Sequence, residues 1–260
     1  MLPKVRLGKH EVSRLIIGGN PFSGHSHISP EMNKEMRDYY TVARIKEVLR
    51  ECESLGINTF LGRGDNHIMR MLNEYWLEGG KIQWIAQTAP ERASTKANIR
   101  QIASYGPIAI YHHGGSTDRL FREGRLDEVN DCLKFIHDLG FTAGLGTHDP
   151  DVVRYAEEKG FEVDFYMLSF YNLSKRGEVY LPEDRERACR VIREVQKPFL
   201  AFKIMAASRN CTTPEDTRRA FEFAFDQIKP QDAVVVGMFP KYEDQIALNV
   251  AHTLSAIAAI

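Results

Sequence analysis

Histidine supplies most of the chemistry legible in this 260-residue chain. Six of its nine histidines, His25, His27, His67, His112, His113 and His148, follow directly on short apolar runs. Carboxylates accompany them: Asp65 precedes His67 by two positions, and Asp149 and Asp151 follow His148. Imidazole is the commonest side-chain metal ligand and the usual acid–base group at neutral pH. Histidines and aspartates drawn from several loops therefore suit either a divalent metal such as zinc or a metal-free proton-transfer centre. His25, His67 and His148 are the candidate ligands. Lys203, His113, Asp65 and Asp149 are the candidate catalytic groups. Lys203 lies inside the apolar run FLAFKIM. An ammonium facing a helix layer would be buried in hydrocarbon at high cost, so it is expected to face a polar interior. There it could act as a general base, a Schiff-base nucleophile or an anion clamp, or form a structural ion pair. Plainer roles compete. Asp149, in THDPD, is well placed to cap a helix. His112 and His113 are adjacent on a strand, so only one of them can face a shared site.

The elements that must position these residues alternate with regularity. Strands are expected at 14–18, 58–61, 82–87, 107–111, 142–146, 164–168, 199–204 and 233–236. Helices are expected at 41–55, 67–77, 95–105, 126–139, 151–159, 183–195, 214–228 and 243–254. Gly56, Gly140 and Gly160 close three of those helices. Strands apolar on both faces, each followed by a helix, imply a parallel sheet covered by helices. About eight such units in a chain of this length predict one closed (β/α)₈ TIM barrel over 1–260, an open doubly wound sheet being the alternative. The six histidines and Lys203 then all fall at the C-terminal ends of strands, where barrel active sites lie.

Bulk properties narrow the function classes. Lys plus Arg number 34 and Asp plus Glu 35, a formal net charge of -1. No basic block gives a reason to bind nucleic acid or an anionic membrane. No apolar run approaches the roughly 20 residues of a membrane span, and MLPKVRLGKH has no secretory signal pattern. Cys52, Cys132, Cys189 and Cys211 are scattered and read as reduced thiols of a cytoplasmic protein. The apolar end AHTLSAIAAI reads as a final helix, packed on the barrel or on a second copy in a homo-oligomer.

Several segments, in order, resemble the aldo-keto reductase superfamily: LGKHEVSRLIIGGNPFSG, GINTF, YHH with LDEVNDCLKFIHDLG, TAGLGTHD, SFYNLSKRG and VVVGMFPKYEDQIALNVA. The resemblance spans nearly the whole chain and implies a β/α barrel. It also implies a catalytic histidine at His112 or His113. Gly237, Lys241, Gln245 and Asn249 match part of the family's NAD(P) phosphate region. The rest of the family's catalytic set is absent. Leu61 stands for its aspartate, Asn66 for its tyrosine, and Thr88-Ala89 for its T-K pair. Without the tyrosine there is no evident proton donor to a carbonyl receiving hydride.

Three functions are consistent with these residues. The first is an enzyme of lyase, isomerase or hydrolase type, acting on a small polar carbonyl or polyhydroxy compound, with or without a metal. The second is an NAD(P)-dependent oxidoreductase with a rebuilt catalytic set. The third is a non-catalytic barrel that binds a ligand.

Overall fold

A computed structural model describes residues 1–171, 180–209 and 211–260. The chain opens with β1 (Lys4–Leu7), β2 (His10–Ser13), β3 (Leu15–Gly18), α1 (Pro30–Tyr39) and α2 (Val42–Ser54). It continues through β4 (Thr59–Arg63), α3 (Asn66–Leu77), β5 (Gln83–Gln87), α4 (Thr95–Ala103), β6 (Ala109–His112), α5 (Gly114–Arg122) and α6 (Asp127–Asp138). Then follow β7 (Thr142–Thr147), α7 (Pro150–Glu158), β8 (Phe165–Ser169), α8 (Pro182–Glu194), β9 (Phe199–Phe202), α9 (Pro214–Gln227), β10 (Ala233–Gly237) and α10 (Gln245–Ala258). Strands β3 to β10 are parallel and close into a barrel in sequence order, β10 pairing with both β9 and β3. The fold is the (β/α)₈ barrel that the alternation predicts.

Period-two alternation divides each strand between two cores. Outward residues such as Ile17, Phe60, Ile110 and Leu145 pack under the helices. Inward residues Ile16, Leu61, Ile85, Tyr111, Phe165, Met167, Leu200 and Val235 fill the barrel. The antiparallel hairpin β1–β2 closes the bottom, with Leu7 and Val12 joining that inner core. Strand β7 places glycines inward, and this makes room for its neighbours. A Cβ on Gly144 would lie 2.3 Å from the Phe165 ring, and one on Gly146 would lie 2.9 Å from Tyr111.

Three elements were not expected from the pattern. The β1–β2 hairpin is too short to show periodicity. Helix α1 is polar, yet Ser29 caps it, its hydroxyl accepting from Met32 N–H at 3.2 Å, and Pro30 starts it. Helix α5 opens on Gly-Gly-Ser-Thr, a composition that reads as loop. The seventh barrel strand is shorter than the apolar run suggests. It stops at Phe202, the last residue paired with β10. Lys203 takes a left-handed φ of 57° and turns the chain out of the sheet.

Candidate active site at the barrel mouth

The inward positions continue above the hydrophobic core. Two residues past Leu61 stands Arg63, past Ile85 stands Gln87, past Tyr111 stands His113, and past Gly146 stands His148. These line a pocket of about 410 Å³ at the C-terminal mouth, to which every barrel strand contributes. Its floor includes Leu61, Tyr111, Met167 and Val235. The segments after β3 and β9 bring His25, His27 and Lys203 to it. Arg209 joins these two segments, donating to the His27 carbonyl at 2.5 Å.

Alternation settles the adjacent histidines. His112 points into the helix layer, buried, its Nδ1 2.8 Å from the Thr117 hydroxyl. His113 lines the pocket and caps α5. The Ser116 backbone N–H donates to His113 Nδ1 at 3.1 Å. That nitrogen must therefore carry a lone pair, and Nε2 carries the proton. Burial, then His148 and Arg63, push the His113 pKa down to about 4. The ring is neutral at neutral pH and offers an N–H.

His148 is held the opposite way. Its Nδ1 lies 2.8 Å from Asp118 Oδ2, and a carboxylate can only accept, so Nδ1 donates. The lone pair is then on Nε2. Asp118 is almost enclosed, its side chain 11% exposed against 22% for His148. It also accepts from the Thr147 hydroxyl at 2.5 Å and from His148 N–H at 3.2 Å. Phe202 packs edge-on against the His148 ring at 5.2 Å. A base oriented by a buried carboxylate, beside a neutral donor, is an acid–base arrangement.

The remaining candidates are placed as follows. Lys203 lines the pocket, with Nζ 3.3 Å from the Tyr180 hydroxyl. Asp65 caps α3, accepting from Ile68 N–H at 2.9 Å, and holds Arg63 Nε at 3.2 Å. Glu91 engages the same guanidinium. Asp149 lies outside the lining and caps α7, accepting from Asp151 N–H at 3.0 Å. Burial raises its pKa. Of the three candidate ligands, His25 and His148 line the pocket, but His67 is exposed on the first turn of α3 outside it. Among the described residues no three His, Cys, Asp or Glu side chains are grouped to hold a metal ion. The expected triad His25, His67 and His148 is thus corrected: the Asp65 cap starts α3 at once and carries His67 away from the mouth.

The residues matched to a nicotinamide cofactor are also dispersed. Gly237 lines the pocket beside Gly18. Lys241 donates to Glu35 on α1 at 2.6 Å, Gln245 accepts from Phe239 N–H at 2.7 Å, and Asn249 is buried on α10. Tyr39 and Tyr40 donate to the carbonyls of Pro240 (3.1 Å) and Met238 (2.6 Å). Their rings pack on Phe239. As placed, these groups are engaged with α1 and their own loop. SFYNLSKRG is described only as far as Tyr171; its remainder lies outside the described residues.

Sequence reading missed Asp118, Gln87, Tyr111 and Phe202. Asp118 sits five residues past His113, between the strand expected at 107–111 and the helix expected at 126–139, and no local spacing ties it to His148.

No family model matches the chain, and no curated protein matches its sequence. Solved structures do match. An aldo-keto reductase from Bacillus halodurans, in its holo form, is 13% identical with a TM-score of 0.63, over 100% of this chain and 96% of that one. A glycerol dehydrogenase from Gluconobacter oxydans is 11% identical with a TM-score of 0.60, over 98% and 94%. A truncated 3-deoxy-D-arabino-heptulosonate 7-phosphate synthase from Thermotoga maritima is 11% identical with a TM-score of 0.60, over 99% and 92%. At such identities the likeness is one of fold, shared by aldo-keto reductases and by barrels of other chemistry.

Proposed function

We propose that this chain is a barrel enzyme that moves a proton at the carbon beside a carbonyl in a small polar substrate, a reaction of the isomerase or lyase type. The observation that carries the reading is the Asp118-held His148 beside a neutral His113 in one pocket. His148 Nε2 takes the proton from carbon. The C–H electron pair becomes the carbon–carbon double bond of an enolate, and charge collects on the carbonyl oxygen. His113 Nε2–H donates a hydrogen bond to that oxygen, as a neutral imidazole can. His148 then returns its proton to the same carbon or to the next. Alternatively, the enolate expels a leaving group from the neighbouring carbon, and the proton departs with it. Asp118 is a positioning residue: it holds the tautomer of His148 and stabilises the imidazolium that forms.

The test is exchange in D₂O with a panel of hydroxy-aldehydes, hydroxy-ketones and keto acids, read by proton NMR. Deuterium should enter the position beside the carbonyl of one substrate class. The rate should fall about 10²–10⁴-fold in His148→Asn. Exchange unchanged in that variant would overturn the reading. Fold likeness to a holo aldo-keto reductase favours a second reading, nicotinamide-dependent oxidation, which cofactor titration tests separately.

A further inference from the structure

We infer that Tyr111 and Gln87 together bind a hydroxyl group of the substrate, which makes hydroxy-aldehydes or hydroxy-ketones the substrate class. This deepens the proton-transfer reading and rests on it for the reacting carbonyl.

The barrel sheet sets the two side chains together. Gln87 on β5 and Tyr111 on β6 are register partners, and both line the pocket. The Gln87 amide donates to the Tyr111 hydroxyl oxygen at 2.6 Å. A phenol has one O–H and two lone pairs, and a primary amide has two N–H donors and an acceptor oxygen. The contact uses one N–H and one lone pair. Among the described residues, neither the Tyr111 O–H nor the Gln87 Oε1 has a further hydrogen-bond partner in the protein. Tyr111 is only 1% exposed, and burial raises its pKa well above the ordinary phenol value. The hydroxyl therefore keeps its proton at any working pH, and a buried O–H calls for an acceptor.

The pair presents one donor and one acceptor side by side. Turning the amide over preserves this, since the phenol then donates to Oε1 and leaves an amide N–H and a phenol lone pair. A hydroxyl group both donates and accepts, so it satisfies both positions. A carboxylate or ketone oxygen only accepts and would leave one acceptor of the pair facing another, and an ammonium only donates. The location suits such a contact. Tyr111 is one inward position below His113 on β6. Its ring edge lies against Gly146, one inward position below His148 on β7, where a Cβ would come within 2.9 Å of the ring. Two residues along a strand rise about 6–7 Å. The pair thus stands one layer beneath the two imidazoles, on the side to which a hydroxyl one or two carbons from the reacting carbonyl would point.

The experiment titrates the protein with four three-carbon probes: acetone, hydroxyacetone, dihydroxyacetone and pyruvate. Binding is followed by calorimetry and by the imidazole Cε1–H resonances of His113 and His148. At least one of the two hydroxy-ketones should bind about tenfold more tightly than acetone or pyruvate and move both resonances. Tyr111→Phe and, independently, Gln87→Leu should each weaken that hydroxy-ketone about tenfold and leave acetone unchanged, in proteins whose circular dichroism is native. The substitutions lie on different strands, so a variant that fails to fold leaves the other as the test. Acetone or pyruvate binding as tightly as both hydroxy-ketones, or hydroxy-ketone affinity unchanged in either natively folded variant, would overturn the inference. Neither readout requires turnover. If the hydroxy-ketone binds as expected while deuterium exchange is absent, the proton-transfer reading fails and the hydroxyl site stands. If exchange occurs without hydroxyl preference, the reverse holds.

Discussion

A neutral imidazole has one N–H and one lone pair, so whatever engages one nitrogen decides what the other offers. A buried carboxylate behind His148 leaves a base in the pocket, and a backbone N–H behind His113 leaves a donor. Asp118→Asn should lower kcat by about 10²–10⁴ with little change in KM, because substrate does not touch it. Steady-state kinetics on the substrate found by exchange will measure this. Protonation also shapes stability. The pKa values of His112 and His113 are both pushed down to about 4 from the ordinary 6.5, burial being the first cause in each. Between pH 6.5 and pH 4 the unfolded chain takes up these protons and the folded chain does not. Stability is therefore fully present above pH 6.5 and is lost as pH falls, by up to about 3 kcal/mol per residue. Urea midpoints measured against pH should show this, with a shallower fall in His113→Gln. His137 runs the other way. Burial opposes its charge, but Asp164 and Glu162 outweigh burial and raise its pKa. Its contribution is present at low pH and is lost as pH rises through the folded pKa.

At the scale of elements, β7 and the cap of α5 decide how close the two imidazoles come. The inward glycines of β7 admit Phe165 and Tyr111, and His148 is the next inward position. A methyl group at Gly144 meets a buried ring with no room to shift. Gly144→Ala should therefore cost about 1–3 kcal/mol, measured by urea denaturation. TAGLG was legible as a strand from its position between turn signals. Its glycines gave no sign of the aromatic partners, which come from β6 and β8. Helix α1 went unread because its moderately amphipathic sequence buries little, and its role became visible only where Tyr40 reaches Met238. Tyr40→Phe would leave that carbonyl without its donor in a buried place. It should lower stability by about 1–3 kcal/mol in the same assay.

At the scale of the molecule, closing eight strands into a barrel brings residues from 18 to 237 around one pocket. Closure also brings α1 against the loop after β10, and this bears on cofactor use. With Lys241 engaged by Glu35 and the loop carbonyls by Tyr39 and Tyr40, NADPH and NADH should give no saturable fluorescence quenching up to about 1 mM. Saturation well below that would favour the oxidoreductase reading. Eight alternating units, helix stops at Gly56, Gly140 and Gly160, and strand ends rich in histidine were all determined by the sequence, because periodicity and capping are local properties of the chain. The tertiary structure decided which strand-end residues meet. It turned His113 inward and His112 outward, and sent His67 away from the pocket with α3. It also brought Asp118, thirty residues away, to His148. Convergence depends on strand register and barrel closure, and neither is written in any one segment.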